Sequence, residues 1–259
     1  MVFATEPPGS RSPGLFFMIC NFYIDGYNWY HRLDAYYKST GENYKWLNYR
    51  SLCKWIIHTH PGNKIGHIYF CTALPPELNK EKYKGTSERF TTYTNALRHY
   101  GIEIVQGYFK TKRTVFQELV EGRKVKVERI TVEEKQTDSN IVAYSVRDAF
   151  LNKFDKAFIL SADSDIVPAV RVIKETESLD KKEIVVVPPP FRKEDRLFKD
   201  RRMGKNYFPM HRIDNFIEYT KNKAVKVHFE DLKYHLLPEK ITDKSEKVIT
   251  MPEEYRIVL

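Results

Sequence analysis

The sequence is short of cysteine, of glycine and proline, and of long apolar runs. Only three cysteines occur in 259 residues: Cys20, Cys53 and Cys71. None sits in a C-x-x-C pair and three cannot pair completely, which argues against a disulfide scaffold or a structural zinc site and fits a reducing, cytoplasmic setting. Eleven glycines and thirteen prolines fall slightly below average usage, so collagen-like and Pro/Gly-rich disordered chains are excluded. The longest apolar run, Leu15–Ile24, contains Asn21 and is too short to span a bilayer. Arg11 before it imitates a signal peptide faintly. Asp25 follows directly, however, and no small-residue cleavage pattern does, so the run reads as a buried strand. Neither GxGxxG nor GxxxxGK[ST] is present, nor a nucleophile elbow, which removes the common nucleotide-binding and serine-hydrolase readings.

What is present suits a soluble globular chain, with 42% hydrophobic residues and a mean hydropathy of −0.53. The length allows one large or two small domains. Lysine and arginine outnumber the acids to give a net charge of +9, which favours a polyanionic partner without identifying it.

Residues 1–14, rich in Pro, Gly and Ser, read as a flexible leader. From there strands alternate with helices. Strands are predicted at Leu15–Ile24, Lys64–Ala73, Ile102–Phe109, Lys156–Leu160 and Glu183–Val187. Helices are predicted at Tyr27–Tyr37, Tyr49–Thr59, Pro76–Tyr100, Thr137–Phe154 and Asp165–Glu177. Two β-rich arms within Thr114–Thr131, around Glu121-Gly122-Arg123, form a hairpin signal. Continuous Val/Ile-rich strands between helices predict an α/β fold, a three-layer α/β/α sandwich with a mostly parallel central sheet plus a β-hairpin insertion. The expected domain is 15–220, with 221–259 a C-terminal extension packed on it.

Ligands of such sheets gather beyond the carboxyl ends of the strands, and the polar residues there are acidic. Asp25 closes the first strand, where a bare charge is costly unless paired or metal-bound; an Asx turn with Gly26 is the plainer alternative. Asn28 can turn back towards the same spot. Asp163 and Asp165 follow Phe158–Leu160, with Ser161 between. One of them can cap the next helix, but two like charges so close repel unless a cation sits between them. Asp138 opens the helix Thr137–Phe154, four residues before a stripe of Val142, Val146, Ala149, Phe150 and Phe154, and Lys135 just upstream can add positive charge to the same rim. If the two strands are neighbours, Asp25, Asp138, Asp163 and Asp165 converge, and an all-oxygen set selects Mg²⁺ or Mn²⁺. Asp25 and Asp163 are the expected direct ligands, with Asp138 and Asp165 on a second ion or its waters.

Positive charge concentrates in two stretches. Tyr108–Arg129 holds Lys110, Lys112, Arg113, Arg123, Lys124, Lys126 and Arg129 against three acids. Phe191–Asn206 holds Arg192, Lys193, Arg196, Lys199, Arg201, Arg202 and Lys205 against three acids. Lys112, Arg113 and Arg192 are the expected phosphate contacts, since basic arms supply affinity for a phosphodiester and a metal supplies chemistry. Solvated charged faces are the alternative.

Phe22–Asn28 (FYIDGYN), Glu133–Val142 (EEKQTDSNIV), Ile159–Val170 (ILSADSDIVPAV), Lys182–Pro190 (KEIVVVPPP) and Ile213–Ile217 together resemble the NYN family of PIN-like metal-dependent ribonucleases. The resemblance runs from about residue 16 to 220, and more loosely through Leu236-Leu237-Pro238 and Pro252-Glu253-Glu254 towards single-domain prokaryotic members. It implies a PIN-like sheet and Mg²⁺- or Mn²⁺-dependent RNA hydrolysis, an endonuclease activity by expectation. Asp25, Asp138, Asp163 and Asp165 fall at the acidic positions, with Asn28, Ser161 and Lys135 beside them. Ala162 stands where the family usually has Gly, and Ser139 where it has Val; neither change removes an acid. A haloacid-dehalogenase-like phosphatase would need an acid where Tyr27 stands. The remaining alternative is a non-catalytic RNA-binding or interaction module. The expected partner is RNA, with no membrane association and homodimerisation open.

Overall fold

The computed structural model describes residues 17–58, 63–76, 85–120, 123–191, 224–243 and 245–256. Strand β1 (Met18–Asp25) lies at the centre of a six-stranded sheet. It alternates strictly: Cys20, Phe22 and Ile24 enter one core, and Tyr23 enters the other. Helices α1 (Gly26–Thr40) and α2 (Tyr49–His58) follow, then β2 (Asn63–Ala73), helix α3 (Thr86–His99), β3 (Glu103–Val120) and β4 (Arg123–Lys135). Helix α4 (Thr137–Phe150), β5 (Lys156–Leu160), a 3₁₀ turn at Ser164–Ile166, helix α5 (Val167–Glu175) and β6 (Glu183–Val186) complete the sequence of layers.

The strand order is β4-β3-β2-β1-β5-β6, parallel except for β4. The fold is therefore the expected sandwich with a mostly parallel sheet. Residues of α1, α2 and α3 cover one face (Trp29, Leu33, Leu52, Ile56, Leu97) and residues of α4 and α5 cover the other (Ile141, Ala149, Val170, Ile173). The chain moves outward from β1 through β2, β3 and β4, then returns to place β5 on β1's other side. That makes the gap between β1 and β5 the topological switch point, where a doubly wound sheet leaves a crevice.

Three details differ from the sequence reading. The strand at Ile102–Phe109 does not stop: β3 runs unbroken to Val120, so the expected hairpin insertion is a continuation of the sheet's own strand. From Tyr108 outward β3 pairs with β4 only, while its root pairs with β2. Helix α4 ends at Phe150 rather than Phe154, and its buried positions are Thr137, Ile141, Ser145, Asp148 and Ala149, whereas Phe150 is 56% exposed. The stripe is rotated because Asp148, polar by type, is buried at 0% exposure, accepting the Tyr23 hydroxyl of β1 (3.0 Å) and pairing with the guanidinium of its helix neighbour Arg147 (2.6 Å). The helix predicted from Pro76 is described from Thr86; residues 77–84 lie outside the described residues.

Residues 224–256 insert into the first core. Val227, Phe229 and Leu232 (the last two in a short helix, α6, Phe229–Leu232), Leu237, Ile241 and Tyr255 are all buried there. The Trp46 indole donates to the Pro238 carbonyl (3.0 Å), and Leu237 N donates to the Trp46 carbonyl (3.0 Å). Strands β7 (Lys240–Thr242) and β8 (Val248–Thr250) form a separate antiparallel pair. No helix among the described residues is long and apolar enough to cross a membrane.

Candidate active site

Ile24 of β1 pairs with Leu160 of β5, so the next residue of each strand, Asp25 and Ser161, emerges at the switch point. Asp25 is 3% exposed and caps α1: one carboxylate oxygen accepts the Asn28 N–H (2.9 Å) and the other accepts the Ser161 hydroxyl (2.8 Å). Gly26 is needed for this exit, since a Cβ there would meet the Phe70 ring at 2.5 Å and the Cys71 carbonyl at 3.1 Å. Ser161 Oγ accepts the Asp163 N–H (3.0 Å), and Asp163 in turn caps the 3₁₀ turn by accepting the Asp165 N–H (3.0 Å). Asn28 Oδ1 lies 3.4 Å from the Ala162 N–H. Asp25, Asn28, Ser161 and Asp163 are thus joined in one hydrogen-bonded relay between two elements 136 residues apart.

Asp138 reaches the same place from the other face. Gly107 lies against the β4–α4 junction, where a Cβ would clash with the Lys135 carbonyl oxygen. Gln136 is held at φ 77°, in the left-handed region that non-glycine residues seldom occupy. The Glu134 carboxylate accepts the Thr137 N–H (3.1 Å) and also the Thr137 hydroxyl, so it fixes the start of α4 one residue before Asp138. The sequence reading assigned no role of their own to Glu134, inside the segment Glu133–Val142, or to Gly107, inside the predicted strand Ile102–Phe109.

The charges of these acids act on one another. Burial pushes the Asp25 carboxyl up to about 7, with the Asp138 and Asp163 carboxylates adding and the Asn28 N–H and Ser161 hydroxyl opposing. Burial also raises Asp138, to about 6, with Asp163, Glu134 and Asp165 contributing. Desolvation leads on both, and on both the neighbouring charges that act are carboxylates, which marks negative charge gathered at one place. Cys71, paired in register with Asp25, has its thiol pushed well up by burial and by these acids, so it stays protonated and leaves the donor set to oxygen. Among the described residues, no three His, Cys, Asp or Glu side chains are already drawn into an ion cage. The chemistry of the group nonetheless fits a hard cation: oxygen donors, uncompensated charge, and lone pairs left on both oxygens of Asp25 after one hydrogen bond each.

The expected phosphate contacts fare differently. Lys135 (2.6 Å) and Lys112 (2.7 Å) both pair with Glu133 and hold its carboxyl at about 2. Strand alternation explains this departure from the expected rim position: Glu133 and Lys135 share a face of β4, while Glu134 points the opposite way, towards α4. Arg113 is on the exposed ribbon with Glu128 3.9 Å away. Arg192 and the second basic stretch lie outside the described residues.

A family model for the NYN domain matches residues 21–196, more than half of the chain. The chain belongs to the NYN-domain family. Its mixed α/β fold with a mostly parallel sheet is consistent with that membership and is of nuclease type. Over 178 residues the chain is 27% identical to 6-hydroxy-3-succinoylpyridine 3-monooxygenase HspA of Pseudomonas putida, covering 59% of this chain and 54% of that protein. It thus spans about half the length of the curated relative it matches. No solved structure matches the chain.

Proposed function

We propose that this NYN-domain protein is a divalent-metal-dependent ribonuclease that cuts within RNA chains. The observation that carries the reading is the group of mutually repelling acids at the switch point, with Asp25 buried among them. Folding such a group without a counter-charge is unfavourable, so the arrangement makes physical sense around a cation.

Asp25 and Asp163 would hold Mg²⁺ or Mn²⁺, with Asp138 and Asp165 completing the set. When bound, the ion supplies polarisation of a phosphoryl oxygen and a lowered pKa for its water. The chain's own residues do the rest. Asn28 and Ser161 fix the Asp25 carboxylate in one orientation, so that little reorganisation is needed when charge develops. Asp138, half-buried beside Asp163 and Asp165, is placed to bind a second ion or to accept hydrogen bonds from its waters. Glu134 anchors the helix that carries it. Lys110, Arg123, Lys124 and Lys126 line the exposed ribbon of β3 and β4, a surface suited to phosphate contacts that position RNA without reading its sequence.

The test is cleavage of a circular RNA in Mn²⁺ by the wild type, Asp25→Asn and Asp163→Asn. The expected outcome is ring opening by the wild type and a loss on the order of a hundredfold or more in each variant. Undiminished cutting by both variants overturns the assignment. RNA binding with a steep salt dependence but no cleavage makes the chain a binding module instead.

A further inference from the structure

At the rim of the acidic site stand aromatic rings that neither core uses. Tyr27 follows Asp25 by two residues on α1, and its ring meets Phe109 of β3 edge to face at 5.7 Å. His31, one turn further along α1, packs edge-on against Tyr27 at 4.4 Å. Tyr27 and Phe109 are only partly buried, His31 is exposed, and none of the three is among the residues that make or line the two cores. The rings meet one another rather than the side chains of either core.

Their place is specific. Phe109 is the register partner of Glu134, which anchors Thr137 next to Asp138. Tyr27 leaves from the turn that Asp25 caps. The pair thus spans from the α1 side of the acidic group to its α4 side, above the carboxyl ends of β1 and β2. The three rings together present π-surface beside the ribbon's positive charge. Aromatic rings next to a phosphate-handling centre suit a nucleobase, whose faces stack on aromatics irrespective of sequence.

We propose that Tyr27 and Phe109, backed by His31, form a stacking subsite for the unpaired nucleobase next to the phosphate at the acidic site, making single-stranded RNA the substrate class. The inference rests on the ribonuclease reading for its phosphate but not for its measurement. A base buried in an A-form helix offers no free face; duplex RNA gains nothing from the rings.

The experiment uses the full chain in EDTA, with a short single-stranded RNA carrying 2-aminopurine as the probe, so that stacking is read by fluorescence without cleavage. The wild type is expected to quench the probe. Tyr27→Leu and Phe109→Leu are each expected to lose most of the quenching and to bind about tenfold more weakly. Tyr27→Phe keeps both, and a duplex of the same sequence binds wild type and variants alike. Melting curves check that each variant is folded; Phe109→Leu carries the test if Tyr27→Leu is not. Quenching and affinity unchanged in the leucine variants overturn the subsite, as does failure of the wild type to bind the single strand. Cleavage is scored separately in Mn²⁺. Ring-dependent quenching without cleavage removes the nuclease reading and leaves the subsite, whereas cleavage without ring dependence does the reverse.

Discussion

Two buried aspartates on the α4 side of the sheet show how differently one fold treats the same side chain. Asp148 is fully buried, yet it accepts the Tyr23 hydroxyl (3.0 Å) and pairs with Arg147 (2.6 Å), with Lys153 at 3.7 Å. Arg147 also donates to the Tyr69 hydroxyl (3.1 Å). Asp25 is 3% exposed but is met by two neutral donors and two further carboxylates. The chain balances the first charge itself and leaves the second wanting. A buried charge satisfied internally is architecture; one surrounded by its own sign marks a place prepared for something from outside.

The largest effect should come from breaking the balanced side. Asp148→Ala leaves the Tyr23 hydroxyl buried without its acceptor and Arg147 without its counter-ion, and should cost about 3 kcal/mol by urea unfolding. The variant should keep whatever thermal stabilisation Mn²⁺ gives the wild type.

On the unbalanced side the sign reverses. Asp25→Asn retains a favoured helix cap, and Ser161 can rotate its hydroxyl to accept from the new amide. Because the charge is gone, the variant should be more stable than the wild type at pH 8 in EDTA, by at most about 4 kcal/mol. The pH course sharpens this. Asp25 and Asp138 titrate near 7 and 6 in the folded chain against an ordinary 3.8. Both are protonated in folded and unfolded chains below about pH 4, and between about 4 and 7 the folded chain keeps protons that the unfolded chain has released. Wild-type stability should therefore fall as pH rises through that window, and the fall should be shallower in Asp25→Asn. Asp34 and Asp243, whose carboxyls lie below the ordinary range, act in the opposite sense and at lower pH. An identical slope in the variant would place the titration elsewhere.

The smallest effect belongs to the exposed ribbon. Lys112→Ala removes one of two partners of Glu133 at the surface and should leave the melting temperature unchanged. If the ribbon holds RNA, the same change should reduce the salt dependence of binding by roughly one counterion.

Much of this was legible in the chain itself. The Val/Ile-rich strands, the helices between them, and the acids placed directly after β1 and β5 were readable because strand composition and turn chemistry are local. The misreadings share a cause. Of the stripe Val142, Val146, Ala149, Phe150 and Phe154, Ala149 and Phe154 are buried and Val146 packs on the core, but Phe150 is exposed and Asp148, which looks like a surface residue, takes a core position because the Tyr23 hydroxyl, 125 residues away, meets it there. Lys135 looked like part of the rim until Glu133 claimed it. The extension expected over 221–259 was to pack on the domain, and its described part goes further by burying Phe229, Leu232 and Tyr255 in the main core. Glu134 and Tyr27 fell inside segments that carry the family resemblance, but their own contacts, like that of Gly107, lie in what approaches them.

By itself the sequence determined the kinds of element, their order and which acids stand at strand ends, since periodicity, strand propensity and the exit turn after Asp25 depend only on neighbours along the chain. The tertiary structure alone decided that β5 returns beside β1 and that α4 starts above them. Burial, field and counter-charge are properties of that arrangement in space, so only there do Asp25, Asp138 and Asp163 become one repelling group while Asp148 becomes a neutralised one.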